Sequence, residues 1–123
     1  MVEAMALPIP WQVRFHAGDN EGVADTLKAD TGGSTGMRPH ELLEASLAAC
    51  MTISARMALA DLGITAADVG VRVHLEREES ATRFRYELVL ASELEAHRAV
   101  IAERIARSPV LSTLSKPLVF QPA

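Results

Sequence analysis

Residues 39–62, PHELLEASLAACMTISARMALADL, constrain this chain more than any other stretch. Pro39 suits the first turn of a helix, where a missing N–H costs nothing. Gly63 follows the last apolar position, Leu62, and supplies a left-handed stop. No Gly or Pro interrupts the run, and Ala, Leu, Met and Glu, all strong helix formers, dominate it. From Ala45 to Met51 every side of the expected helix is apolar or small, the mark of a helix covered all round. The only cysteine of the chain, Cys50, falls in that middle.

A chain of 123 residues can build one domain with a core and is too short for two ordinary ones, so residues 1–123 read as a single domain. Hydrophobic residues at 49% exclude a disordered chain. A net charge of −4 gives no electrostatic reason to expect nucleic acid or an anionic membrane as partner. Glu41, Glu44, Arg56 and Asp61 punctuate the long helix and argue against a membrane span. One cysteine cannot make an intrachain disulfide or a Cys-rich zinc site, and it suits a reducing compartment. No basic N-terminal region is followed by a long apolar run, so the expectation is a cytoplasmic protein.

Around the helix the chain reads as strands and shorter helices. Trp11, Val13 and Phe15 alternate with polar residues, Gly18 to Gly22 is a turn, and Val23 to Ala29 reads as a second, weaker strand. Asp30 to Arg38 is a Gly/Ser/Thr loop without a phosphate-binding pattern. The clearest hairpin sets Val71, Val73 and Leu75 against Phe84, Tyr86, Leu88 and Leu90, with Glu78 to Thr82 as its turn. Ser92 and Glu95 form a capping box for a helix to about Arg107, which Ser108-Pro109 breaks. Val110, Leu111 and Leu114 suggest a short helical piece, and Leu118 to Phe120 a last strand. The order is that of an α+β domain, antiparallel sheet on helix. One layer of strands covers one side of a helix, so a second subunit is the economical cover for the other side. The expectation is a homodimer.

Cys50 taken alone reads as a small buried hydrophobe, the usual role of a free cysteine. A reactive thiol needs a group that favours the thiolate, and the cations available are Arg14, His16, Arg38, His40 and Arg56. Arg38 and His40 stand about three turns from Cys50, ~15 Å along the axis. Arg14, on a strand of the same or a partner chain, is the better candidate, against the bland reading of a solvated strand residue. Glu41 and Glu44 have a default structural role in the first turns, where carboxylates favour the macrodipole. No pattern of His and carboxylates calls for a metal, and no cofactor is expected.

Residues Gly36 to Ile64 resemble the helix signature of the OsmC/Ohr family, the osmotically inducible and organic hydroperoxide resistance proteins. The family run is close to G-P-S-P-x-E-L-L-L-A-A-L-A-A-C. Gly36, Pro39, Glu41, Leu42, Leu43, Ala45, Leu47, Ala48, Ala49 and Cys50 match it. The resemblance implies an OsmC-like α+β fold, antiparallel sheets packed on a long central helix in an intertwined homodimer. It implies Cys50 as the peroxidatic thiol, organised by a glutamate at Glu41 and by an arginine matched here to Arg14. The family's second cysteine, which closes a disulfide on the first, is replaced by Ser108 in S-P-V-L-S-T-L-S. Serine cannot form that disulfide. Arg38 stands where the family commonly has a small residue.

Two functions follow as expectations. In one, Cys50 reduces an organic hydroperoxide and an external thiol regenerates it. In the other, a non-catalytic OsmC-like dimer binds a small apolar ligand at the subunit interface, and Cys50 is packing.

Overall fold

Helix α1 (Pro39–Asp61) realises the expected run in a computed structural model that describes residues 1–65 and 68–123. Part of the short connection expected after Gly63 lies outside the described residues. Gly63 takes φ +76°, its N–H donates to the Ala60 carbonyl at 2.9 Å, and the Ile64 N–H donates to the Leu59 carbonyl at 2.9 Å. These are the paired bonds of a Schellman stop, which needs a residue at ease with positive φ. At the other end Glu41 reaches back and accepts the Arg38 backbone N–H at 2.9 Å, the glutamate half of a capping box. By composition alone α1 could cross a membrane, with a mean hydropathy of 1.4.

The chain divides into two compact units, Met1–Leu43 and Glu44–Ala123. The first holds an antiparallel sheet of β1 (Glu3–Ala6), β2 (Val13–Ala17) and β3 (Asn20–Ala24), in that order. Strand β1 escaped the sequence reading because EAMA carries none of the branched or aromatic residues that mark strands. Trp11, expected in a strand, instead takes φ +69° in the turn before β2, so the alternation read at Trp11 overran the strand start. A two-residue loop at Gly18 and Asp19 pairs Ala17 with Asn20, and β3 therefore starts and ends earlier than the strand expected at Val23 to Ala29. Strands β4 (Leu27–Lys28) and β5 (Thr31–Gly32) make a small hairpin inside the stretch expected to be strand and loop. Its loop residues Ala29 and Asp30 both adopt positive φ, +49° and +63°, the hand that lets so tight a reversal follow the strand twist.

Asp25 organises the loop that follows. It is 2% exposed, and its carboxylate accepts the Thr26 N–H at 2.8 Å and the Thr35 N–H at 3.0 Å. The Thr35 amide chiefly holds this carboxyl below its ordinary value, against the opposing effect of burial. Gly36 is required where the loop closes on β3. A Cβ there would stand 1.9 Å from the Val23 carbonyl oxygen, beside the Ala24–Met37 bridge and the Asp25 N–H bond to Met37 at 3.1 Å.

In the second unit β6 (Val69–Arg77) and β7 (Thr82–Leu90) form the expected hairpin, with Thr82 in β7 rather than in the turn; Val71 faces Leu88, Val73 faces Tyr86, and Leu75 faces Phe84. Arg85 and Glu76 pair on the polar face at 2.8 Å. The hairpin packs against α1, whose Leu47, Met51, Ala55, Ala58 and Leu59 share one core with Leu88, Leu94, Ile101 and Ile105. Two helix-borne charges pin the hairpin. Glu44 accepts the Leu75 N–H at 2.9 Å, and Arg98 donates to the Leu88 carbonyl at 3.3 Å.

The helix expected from Ser92 is a 3₁₀ segment, Ser92–His97, running into α2 (Arg98–Ile105). Its N-cap is Ala91, without a side-chain bond, so the expected Ser92/Glu95 capping box does not form. Arg98 takes Glu95 instead, through two bonds of 2.8 Å that hold the Glu95 carboxyl below its ordinary value. Helix α3 (Pro109–Leu114) follows the break at Ser108-Pro109 as expected. Leu118 to Phe120 form no strand: they pair with no strand among the described residues and are exposed. The all-round burial expected from Ala45 to Met51 is also not reached within one chain, since Ser46 and Ala49 are exposed, and further along α1 Ile53 and Met57 are 61% and 50% exposed.

Two stability predictions follow from the first unit. A carboxyl held below its unfolded value stabilises the fold fully above the unfolded pKa and loses that contribution as pH falls through the folded one. Asp25→Asn should therefore lower the urea midpoint at about pH 7, and the gap to wild type should close as pH falls below the ordinary carboxylate range. Gly36→Ala should cost roughly 1–3 kcal/mol, from forced backbone displacement, in the same urea titrations.

Candidate thiol site

The site is built where α3 begins. A residue before proline avoids the helical region, and Ser108 accordingly takes φ −61°, ψ 142°, which makes it the N-cap of α3 with Pro109 as the first helical residue. Val110 comes next, and its N–H donates to Cys50 Sγ at 3.4 Å across 60 residues of sequence. Cys50 is half-buried midway along α1. The thiol lies too far along its own helix to feel that helix's N-terminus, but the first turn of another helix supplies the missing donor. Ser108 is 1% exposed and its Oγ is buried without a hydrogen-bond partner among the described residues.

A cavity of about 290 Å³ in the same unit is lined by Leu47, Phe84, Tyr86, Leu111 and Leu114 with Thr82 and Ser115, which include neighbours of the thiol site along α1 and α3 but not Cys50 itself. Leu47 lies one turn before Cys50 on α1, and Leu111 follows Val110 in α3. Its lining is mostly hydrocarbon, as ligand sites for apolar molecules are.

Of the other residues singled out in the sequence, Arg14, His16, Arg38, His40 and Glu41 belong to the first unit, and Glu44 and the exposed Arg56 to the second. Glu41 is taken up by Arg38, accepting its backbone N–H and its Nε at 3.2 Å. The Arg38 amide, then its side chain, holds the Glu41 carboxyl below its ordinary value. Both residues line a second cavity of about 350 Å³ with Leu27, Gly33, Ser34 and Gly36. Arg14 sits in β2 between Met5 and Val23, its side chain exposed and without a hydrogen bond or ion pair among the described residues. His16 pairs with Glu3 at 3.3 Å. Among the described residues no three His, Cys, Asp or Glu side chains gather as metal ligands.

The geometry thus brings together Cys50 and the Ser108–Val110 turn. Sequence reasoning missed the Val110 amide, because a backbone donor has no residue-type signal. It gave Glu44 only a helix-terminus role, although the carboxylate holds β6.

The sequence profile of the OsmC-like protein family matches residues 31–122. No curated protein matches the chain in sequence. Among solved structures, an osmotic stress induced and detoxification response protein of Psychrobacter arcticus, so described provisionally, superposes with a TM-score of 0.73 at 16% identity, covering 91% of this chain and 85% of that one. An OsmC-like protein of Mycoplasma pneumoniae gives 0.67 at 19% identity, over 93% and 85%. An organic hydroperoxide resistance protein OsmC of Legionella pneumophila gives 0.62 at 16% identity, over 94% and 88%. At these identities the likeness establishes the fold, a central helix with antiparallel sheet. The profile covers about three quarters of the sequence, and on it the chain belongs to the OsmC-like family.

Proposed function

We propose that this chain is a one-cysteine thiol peroxidase for organic hydroperoxides, acting in the cytoplasm as a homodimer. The observation that carries the reading is the Val110 N–H aimed at Cys50 Sγ, in a member of a family tied to stress and peroxide resistance; an apolar cavity lined by Leu47 and Leu111, sequence neighbours of that pair, supports it. A fixed donor at the reacting atom stabilises the charge that develops there and needs no reorganisation during reaction. The cavity supplies hydrocarbon surface for the organic part of the substrate.

The Cys50 thiolate attacks one peroxide oxygen. An S–O bond forms, the O–O bond breaks, and the departing alkoxide takes a proton to leave as the alcohol. Cys50 is then a sulfenic acid. An external thiol attacks its sulfur, water leaves, and a second thiol releases Cys50 from the mixed disulfide. Serine at 108 leaves no thiol there to do this work. Glu41 and Arg14 remain the proposed organisers of the thiolate, contributed at a subunit interface. A lone thiol kept reduced fits the cytoplasm.

The dimer is supported by the uncovered face of α1, where Ile53 and Met57 lie open among small residues, and by the exposed apolar tail of Leu118, Val119 and Phe120. A second reading is favoured by the cavity alone: a dimer that binds a small apolar molecule, with Cys50 as packing.

Cys50→Ser separates the two. The peroxidase reading expects consumption of cumene hydroperoxide, with dithiothreitol as reductant, to fall to the uncatalysed background while the dimer survives. An unchanged rate would end it. Light scattering should give twice the 13.3 kDa of one chain. A stable monomer would remove the homodimer.

A further inference from the structure

We infer that Ser108 is a positioning residue for the oxidised form of Cys50: its hydroxyl holds the oxygen that the sulfur gains, and the protein keeps that oxidation as a long-lived sulfenic acid. The inference rests on the peroxidase reading above.

It starts from a bond that is missing. A serine at a helix N-cap ordinarily accepts the N–H of the second or third helical residue. Ser108 is the N-cap of α3 and makes no such bond. The second helical residue is Val110, and its N–H goes to Cys50 Sγ at 3.4 Å. The sulfur has taken the place that the cap hydroxyl would fill. Ser108 Oγ is left buried with no partner among the described residues. Native structures seldom leave such a group, and one that persists calls for an explanation.

Val110, whose N–H the sulfur occupies, stands only two residues after Ser108 in the same turn, so the unpartnered hydroxyl and the thiol belong to one small neighbourhood. An oxygen added to Sγ would enter between them. A hydroxyl donates one hydrogen bond and accepts two, so it can serve either form of that oxygen, donating to a sulfenate or accepting from a sulfenic acid. The step is the one already written: the thiolate takes an oxygen from the hydroperoxide and the alkoxide leaves with a proton. A cysteine at 108 would next displace water and close an S–S bond. Serine has no sulfur to offer, so the sequence stops at the sulfenic acid until a thiol from outside arrives.

Timed trapping tests this. The protein is oxidised with one equivalent of cumene hydroperoxide, dimedone is added after increasing delays, and intact mass is read. Wild type should give the adduct after long delays. Ser108→Ala should lose its capacity for the adduct about fivefold sooner, roughly the worth of one hydrogen bond. Ser108→Thr, which keeps a hydroxyl, should recover most of the lifetime. Ser108→Cys should instead lose two hydrogens as a disulfide between the two sulfurs if the side chain at 108 faces Sγ as the inference requires. Equal lifetimes in wild type and Ser108→Ala, at equal thermal midpoints, would overturn the role of Ser108 and leave the peroxidase reading standing. Two free thiols persisting in oxidised Ser108→Cys would overturn it too, even if Ser108→Ala failed to fold. No adduct on wild type at any delay would bring down the peroxidase reading and this inference with it.

Discussion

Everything in the second unit depends on one buried stripe. Leu47, Met51, Ala55, Ala58 and Leu59 repeat at the spacing that puts them on one side of α1, and the β6–β7 hairpin and α2 close over them. Burial of such side chains is the largest favourable term available to a chain of this size. Once that stripe is fixed, Cys50 is fixed with it, one residue before Met51, which is fully buried. Neither the thiol nor the cavity of this unit then needs a special local device. They inherit their places from the core.

The polar parts work differently. Asp25 has a loop of amides around it, and Glu41 holds the backbone at the helix start. These carboxylates spend their oxygens on N–H groups that regular structure leaves unpaired, which is why short segments without a core of their own can hold a shape. Among the described residues Ala24 is the one buried apolar side chain of the first unit, so this bonding carries more of its order than packing does.

The legible parts of the sequence were those with local signals. Pro39 and Gly63 bounded α1 because each residue type has a physical reason to sit at its end of a helix. The β6–β7 pairing followed from strict alternation in both runs. Elsewhere the local signal misled: Trp11 extended a pattern through a turn, and Leu118 to Phe120 have strand composition without a strand partner among the described residues. The Ser92/Glu95 spacing suggested a box, but Arg98 offered Glu95 a charged partner that the Ser92 backbone could not match. Of the candidate site, Cys50 and Ser108 were readable only through the family resemblance. The donor that joins them, the Val110 amide, is an outcome of folding, since every residue but proline has one.

The Glu44 carboxylate on the Leu75 amide has a consequence for assembly. Leu75 faces Phe84 in the ladder, yet its N–H points away from β7 to the glutamate. A strand edge is a row of open donors and acceptors that invites another strand to join. An incoming strand on this flank would have to evict a carboxylate and leave it without a donor, a costly exchange for a group only partly in water. At Leu75, then, the donor that a joining strand would need is already held by a charge borne on α1.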